Sequence, residues 1–167
     1  TFNNNLYGGG LVSAAKTDIT VSGTTEVKQI LYGGIFVKEK ESATDLGESN
    51  LTVAGGVFNH NIVGGSRVDV NENALNVTHT TAKVNLTISG GTFAKTGTKT
   101  DPGVAVYSAG YVNGIGEGKN ASTGYDYKVN ENVVTINGGE NGNLYVKGAV
   151  YGGVFACQGG KAYVGKV

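Results

Sequence analysis

Short runs in which apolar and polar residues alternate, each ending on paired glycines, return several times along the chain. In residues 86–93, L-T-I-S-G-G-T-F, Leu86 and Ile88 alternate with Thr87 and Ser89. A period of two marks a strand with one buried face. Gly90 and Gly91 end the run where a backbone bends sharply or passes close to a neighbour. Thr92 and Phe93 then open a new extended segment. The pattern recurs at 51–58, L-T-V-A-G-G-V-F, at 134–139, V-T-I-N-G-G, and in shorter form at 19–23, I-T-V-S-G.

A second element alternates with the first. It reads L-Y-G-G at 6–9 and 31–34, V-Y-G-G at 150–153, I-V-G-G at 62–65 and V-Y-S-A at 106–109. These copies begin at Leu6, Leu31, Ile62, Val106 and Val150, at intervals of 25, 31, 44 and 44 residues. A fixed core with loops of varying length explains the intervals better than a rigid period. Repeats of this size indicate a solenoid, a propeller or an array. A propeller blade needs four antiparallel strands, and the 25-residue unit has no room for them. The expectation is an all-β chain: a right-handed parallel β-helix, or β-solenoid, of about four to five irregular coils. Each coil carries too few apolar residues to stand alone, so Leu86, Ile88 and Phe93 would stack on Leu51, Val53 and Phe58. Residues 1–167 form a single repeat domain in this reading.

Long variable stretches follow the Y-G-G copies and would emerge on one side, where binding concentrates in repeat proteins. Residues 37–50 hold the densest charge, and the charge run at 37–45 reads as a solvated loop rather than a helix. In 66–85 the alternation of Leu75, Val77 and His79 is out of phase with that of Val84, Leu86 and Ile88. A bulge or turn near Thr80–Ala82 is therefore expected. Residues 94–103 form a separate excursion holding the lone Pro102.

Composition narrows the picture. Gly is 29 of 167 but Pro is 1, which excludes collagen. The 13 acidic and 13 basic residues cancel, and Arg67 is the sole arginine, so no basic face for nucleic acid is expected. No apolar run approaches the roughly 20 residues of a membrane span, and no signal peptide is visible. The single Cys157 reads as a buried structural thiol. There is no Met, and Thr1 and Phe2 match Thr92 and Phe93. Neither end reads as the polar cap a repeat array needs. The expectation is a processed or partial piece of a longer repeat protein.

Catalytic chemistry has little support in the sequence. His60 and His79 share no motif and read as polar surface or loop residues. No nucleophile elbow, zincin helix, P-loop or C-x-x-C occurs. The segment G-I-G-E-G-K at 114–119 matches a phosphate loop in composition only. The tetrapeptide V-N-E-N occurs at 70–73 and 129–132. If those copies stack, Glu72 and Glu131 approach each other beside Asp69 and Asp126, an oxygen-rich arrangement suited to calcium. A solvated turn is the preferred reading, and no cofactor or metal is expected. Residues 138–142, G-G-E-N-G, lack the aspartate of a calcium-binding nonapeptide.

Tyrosine is the enriched aromatic, 9 residues against no Trp. Tyr7, Tyr32 and Tyr151 belong to the repeat and are expected to stack as a ladder. Tyr111, Tyr125, Asp126 and Tyr127 lie in the long fourth stretch. They either contact a sugar-like ligand at the surface or pin the loop to the solenoid. Thr20, Thr52, Thr87 and Thr135 occur singly in each coil, too sparsely for the regular double array of an ice-binding face.

The pairing of I-S-G-G-T-F with V-Y-G-G resembles the glycine-rich repeats of large bacterial surface proteins, the autotransporter-like and haemagglutinin-like adhesins. That resemblance implies a right-handed parallel β-helix, an extracellular or cell-surface location, adhesion or structural extension, and no catalytic residues. The leading expectation is a non-enzymatic extracellular rod or filament subunit that presents variable loops. It would associate head to tail, or continue into further repeats, through Phe2, Leu6, Tyr163 and Val164, with a glycan or cell-surface ligand as partner. The alternative is a carbohydrate-active β-helix enzyme, a polysaccharide lyase, hydrolase or phage-type depolymerase. It requires Asp69, Glu72, Asp126 and Glu131 to converge in a cleft.

Overall fold

A computed structural model describes residues 1–10, 13–38, 44–70, 78–93, 104–113, 126–137, 149–157 and 161–167. These residues form strands and turns with no helix among them. The strands fall into five successive repeats. The first holds β1 (Leu6–Tyr7), β2 (Ala14–Val21) and β3 (Glu26–Val27); the second holds β4 (Leu31–Tyr32), β5 (Phe36–Lys38), β6 (Thr44–Val53) and β7 (Val57–Phe58). The third holds β8 (Ile62–Val63), β9 (Arg67–Asp69), β10 (His79–Ile88) and β11 (Thr92–Phe93). The fourth holds β12 (Val106–Tyr107), β13 (Gly110–Asn113) and β14 (Tyr127–Ile136), and the fifth β15 (Val150–Tyr151), β16 (Val154–Cys157) and β17 (Ala162–Lys166).

Among the described residues no strand pairs with another of its own repeat. Four open sheets instead each take a strand from successive repeats, in the orders β1-β4-β8-β12-β15, β2-β6-β10-β14-β17, β3-β7-β11 and β5-β9-β13-β16. Every pairing is parallel. The register aligns equivalent letters of the repeat: Leu51 lies opposite Ile19 and Leu86, and Leu86 opposite Val134. The first sheet is the YGG sheet and the second is the long sheet.

The long strands change face midway. In β10, His79 and Thr81 are buried, and then Val84, Leu86 and Ile88. The pairing skips Ala82 and its neighbours Gly47 and Asn130. The phase break expected near Thr80–Ala82 is thus present, and it stacks from strand to strand. It divides the interior in two. One core joins the second halves of the long strands (Leu51, Val53, Leu86, Ile88) to Leu31, Ile62 and Val106 of the YGG sheet and to Phe58 and Phe93. The other joins Tyr127 and Val129 to Val37, Val68 and Val112 of the four-stranded sheet.

Between the cores the Y-G-G backbone presses against the long sheet. Thr17 Oγ1 donates to the Gly33 carbonyl at 2.8 Å and Ser49 Oγ to the Gly64 carbonyl at 2.7 Å. Asn132 Nδ2 reaches the Gly152 carbonyl at 3.2 Å. Thr17, Ser49, Val84 and Asn132 are in register, so this waist is a column in which three of the four residues bond to glycine carbonyls. A Cβ on Gly33 would overlap the Gly64 carbonyl, and one on Gly64 would overlap that of Ser108. At the other corner Gly56 and Gly91 turn with φ of 99° and 113°, a region other residues rarely enter.

Candidate functional site

In β1, β4, β8 and β12 the first residue joins the apolar core; at the second position Tyr32 and Val63 are buried too, Tyr7 and Tyr107 are half-buried, and Tyr151 of β15 is exposed. After the glycines, the four-stranded sheet turns Phe36, Arg67, Tyr111 and Phe155 out beside them, in register with one another. The two columns meet along this corner and form an aromatic stripe. Tyr7 stacks on Tyr32 at 4.8 Å and on Phe36 at 5.2 Å. Tyr107 stacks on Tyr151 at 5.1 Å and lies against Phe155 at 4.9 Å. Tyr111 stacks on Phe155 at 5.1 Å and meets Tyr32 edge-on at 6.3 Å. The expected tyrosine ladder is therefore present in two pieces. Val63 interrupts it.

Arg67 ties the stripe together. Its guanidinium lies 5.0 Å over Phe36 and 5.8 Å from the Tyr111 ring, attracted by the negative ring faces. Nε and Nη2 each donate to Asp69 at 2.8 Å. Burial disfavours the charged guanidinium, but the paired bond to Asp69 outweighs it and raises the Arg67 pKa. The Tyr32 hydroxyl is buried with no hydrogen-bond partner among the described residues, and burial pushes its pKa well above the ordinary phenol range. Toward the last repeat the stripe opens into a groove of about 630 Å³ lined by Tyr107 and residues 150–156. Tyr151 is 49 % exposed there.

Of the surface contacts expected from the sequence, Tyr111 lies in this stripe and Tyr125 lies outside the described residues. Asp126 and Tyr127 require correction, because both are buried. Tyr127 opens β14 at an inward position. Its hydroxyl accepts from Ser66 N at 3.1 Å, donates to the Ala109 carbonyl at 3.1 Å and meets Thr81 Oγ1 at 3.0 Å. Asp126 accepts from Lys161 N at 2.7 Å. Both therefore pin the chain to its own interior.

His79 also differs from the surface role expected of it. It is buried in register between Thr44 and Tyr127. Nδ1 is bonded to Thr44 Oγ1 at 2.8 Å, and Nε2 to Ser66 Oγ at 3.0 Å and Thr81 Oγ1 at 3.2 Å. Its ring stacks on Tyr127 at 5.1 Å. Burial lowers its pKa to about 4. Ser66, Thr44, Thr81 and His79 thus form one buried hydrogen-bonded network.

Of the first V-N-E-N copy only Val70 is described. Val70 follows β9 of the four-stranded sheet, whereas 129–132 belongs to β14 of the long sheet. Asp69 binds Arg67, Asp126 binds Lys161 N, and Glu131 meets Lys83 at 3.2 Å. Glu72 lies outside the described residues. Among the described residues no group of three His, Cys, Asp or Glu could hold a metal ion. No described helix is long and apolar enough to cross a membrane. Cys157 ends β16, and its side chain is outside the described set.

The residues expected at an interface lie at the two ends of the strand stacks. Phe2 is exposed and bridges to Val27, and Leu6 is in β1, the first YGG strand. Tyr163 and Val164 are in β17, the last long strand. No protein-family model matches the chain, and neither does any curated protein or solved structure.

Proposed function

We propose that the chain is a segment of a right-handed β-helical rod that acts outside the cell as a non-catalytic structural or adhesive element. One observation carries this reading: all five repeats add one parallel strand, in register, to each of the two five-stranded sheets, and successive repeats do the same in the three- and four-stranded sheets. Such stacking extends along one axis by about 4.8 Å per repeat, so five repeats span about 24 Å. Further strands lengthen the rod without changing its cross-section. The aromatic stripe is its contact surface. Flat rings with one polar edge, such as Tyr151 and Tyr107, suit the apolar faces and hydroxyl rims of sugar rings, so a glycan is the ligand class.

Electron microscopy of native material should show stalks or fibres at the cell exterior. A glycan screen should give binders whose affinity falls about tenfold in Tyr151→Ala. A soluble monomer that cleaves a glycan, with products lost on Glu131→Gln, would overturn the reading in favour of an enzyme.

A further inference from the structure

Two parts of the surface balance their charge in different ways. On the outer face of the long sheet the balance runs between strands. Lys16 of β2 lies opposite Glu48 of β6, Glu48 opposite Lys83 of β10, and Lys83 opposite Glu131 of β14. The contact between Lys83 and Glu131 is an ion pair of 3.2 Å. Opposite charges across neighbouring strands favour the pairing and like charges oppose it. In the aromatic stripe the balance lies within one strand. Arg67 and Asp69 stand two residues apart in β9, on one face with the buried Val68 on the other. Nε donates to one carboxylate oxygen and Nη2 to the other, both at 2.8 Å.

Arg67 is also fixed in position. Its register partners are Phe36 and Tyr111, and its guanidinium lies over both rings. Nη1 is 3.5 Å from the Tyr7 hydroxyl. The pair is still within reach of a ligand, since the side chains of Arg67 and Asp69 keep 23 % and 19 % of their exposure. A flat guanidinium with two parallel donors is the pattern that grips a carboxylate or sulfate. Here the grip is already closed. An acidic sugar would have to displace a carboxylate of like chemistry that is tethered to the same strand and is never diluted. An uncharged sugar meets no such competition. It bonds to hydroxyls such as that of Tyr7 and to the remaining lone pairs of Asp69.

We propose that Arg67 and Asp69 form a charge lock that closes the stripe to carboxylated and sulfated glycans and leaves it to uncharged ones. Asp69 is then the residue that sets specificity, by occupying the donors an anion would take. This deepens the glycan reading and rests on it, but the lock can be opened and read by itself.

The test uses the full chain and dextran sulfate, with dextran as the uncharged control for its backbone. At about 10 mM salt charges act over about 30 Å. There the native protein should bind dextran sulfate no better than the double variant Arg67→Gln with Asp69→Asn. Asp69→Asn and, separately, Asp69→Ser should each bind it about tenfold more tightly than the native protein. At about 1 M salt, where the Debye length is about 3 Å, that gain should vanish. Lys38 lies opposite Asp69 in the register, and the double variant retains it, so a gain lost in the double variant belongs to Arg67. Two independent single variants guard against loss of fold in either, and circular dichroism verifies each. Native protein that binds dextran sulfate as tightly as the folded Asp69 variants would overturn the proposal. So would a gain that survives in the double variant. If the native protein binds no uncharged glycan while the Asp69 variants gain the sulfated polymer, the glycan reading falls and the exclusion of anions by Asp69 stands.

Discussion

The core under the YGG strands is made of columns of interchangeable hydrocarbon, such as Ile19, Leu51 and Leu86. The core behind it hangs on side chains that occur once each: His79, Ser66 and Tyr127. In the first, the second and third repeats contribute the same kinds of residue to the same depth, Leu51, Val53 and Phe58 beside Leu86, Ile88 and Phe93. In the second, three repeats supply unlike pieces of one hydrogen-bonded cluster, Thr44 from β6, Ser66 and His79 from the third repeat, and Tyr127 from β14. Apolar columns are tolerant in composition and sensitive to volume. The cluster is indifferent to small changes of volume and sensitive to protons and to lost partners.

Three experiments would break or sharpen that contrast. The largest effect is expected from Leu51→Ala, because Leu51 is 1 % exposed between Ile19 and Leu86. The loss should be about 2–5 kcal/mol by urea denaturation, with the same value at neutral and acidic pH. A loss below about 1 kcal/mol would mean the apolar columns are loosely packed.

Next comes acid. An unfolded histidine takes up its proton near 6.5 and the folded His79 near about 4. Between these values the unfolded chain binds more protons, so stability is complete above about 6.5 and falls as pH drops toward about 4. The window spans about 3 kcal/mol. Urea midpoints across that range should move in the native protein and stay nearly level for this contribution in His79→Gln. Equal pH slopes in the two would show that His79 is not the sensor.

The smallest effect belongs to Tyr32→Phe. It deletes a buried hydroxyl that lacks a partner among the described residues, so the change should be neutral or slightly stabilising, within about 1 kcal/mol. A clear loss would show that the hydroxyl bonds to something in the Arg67 cluster.

Much of the architecture could be read from the letters, because each strand element carries its own punctuation. L-T-V-A-G-G-V-F and L-T-I-S-G-G-T-F announce a strand, a glycine corner and a second strand, and the two stack as their likeness implies. The phase break near Thr80–Ala82 was legible for the same reason. Register between repeats was not. The two V-N-E-N copies share letters, yet Val70 directly follows β9 whereas residues 129–132 lie within β14. Thr20, Thr52, Thr87 and Thr135 look solitary in the sequence but form one column. His79 gave no signal, since nothing local to T-H-T says that Ser66 and Tyr127 will surround it. The aromatic stripe was half visible: the tyrosines of the Y-G-G copies stood out, whereas Arg67 gained its place only when β5, β9 and β13 aligned. The alternating charges were available in principle. Lys16, Glu48, Lys83 and Glu131 each stand three residues before the first apolar residue of the strand element.

That alternation also constrains how such a chain grows by duplication. Copying one repeat would lay its charge beside the same charge of the original and weaken the junction between the two. Copying two adjacent repeats together would preserve the sign order throughout. Lineages that lengthen or shorten this protein should therefore do so in even steps.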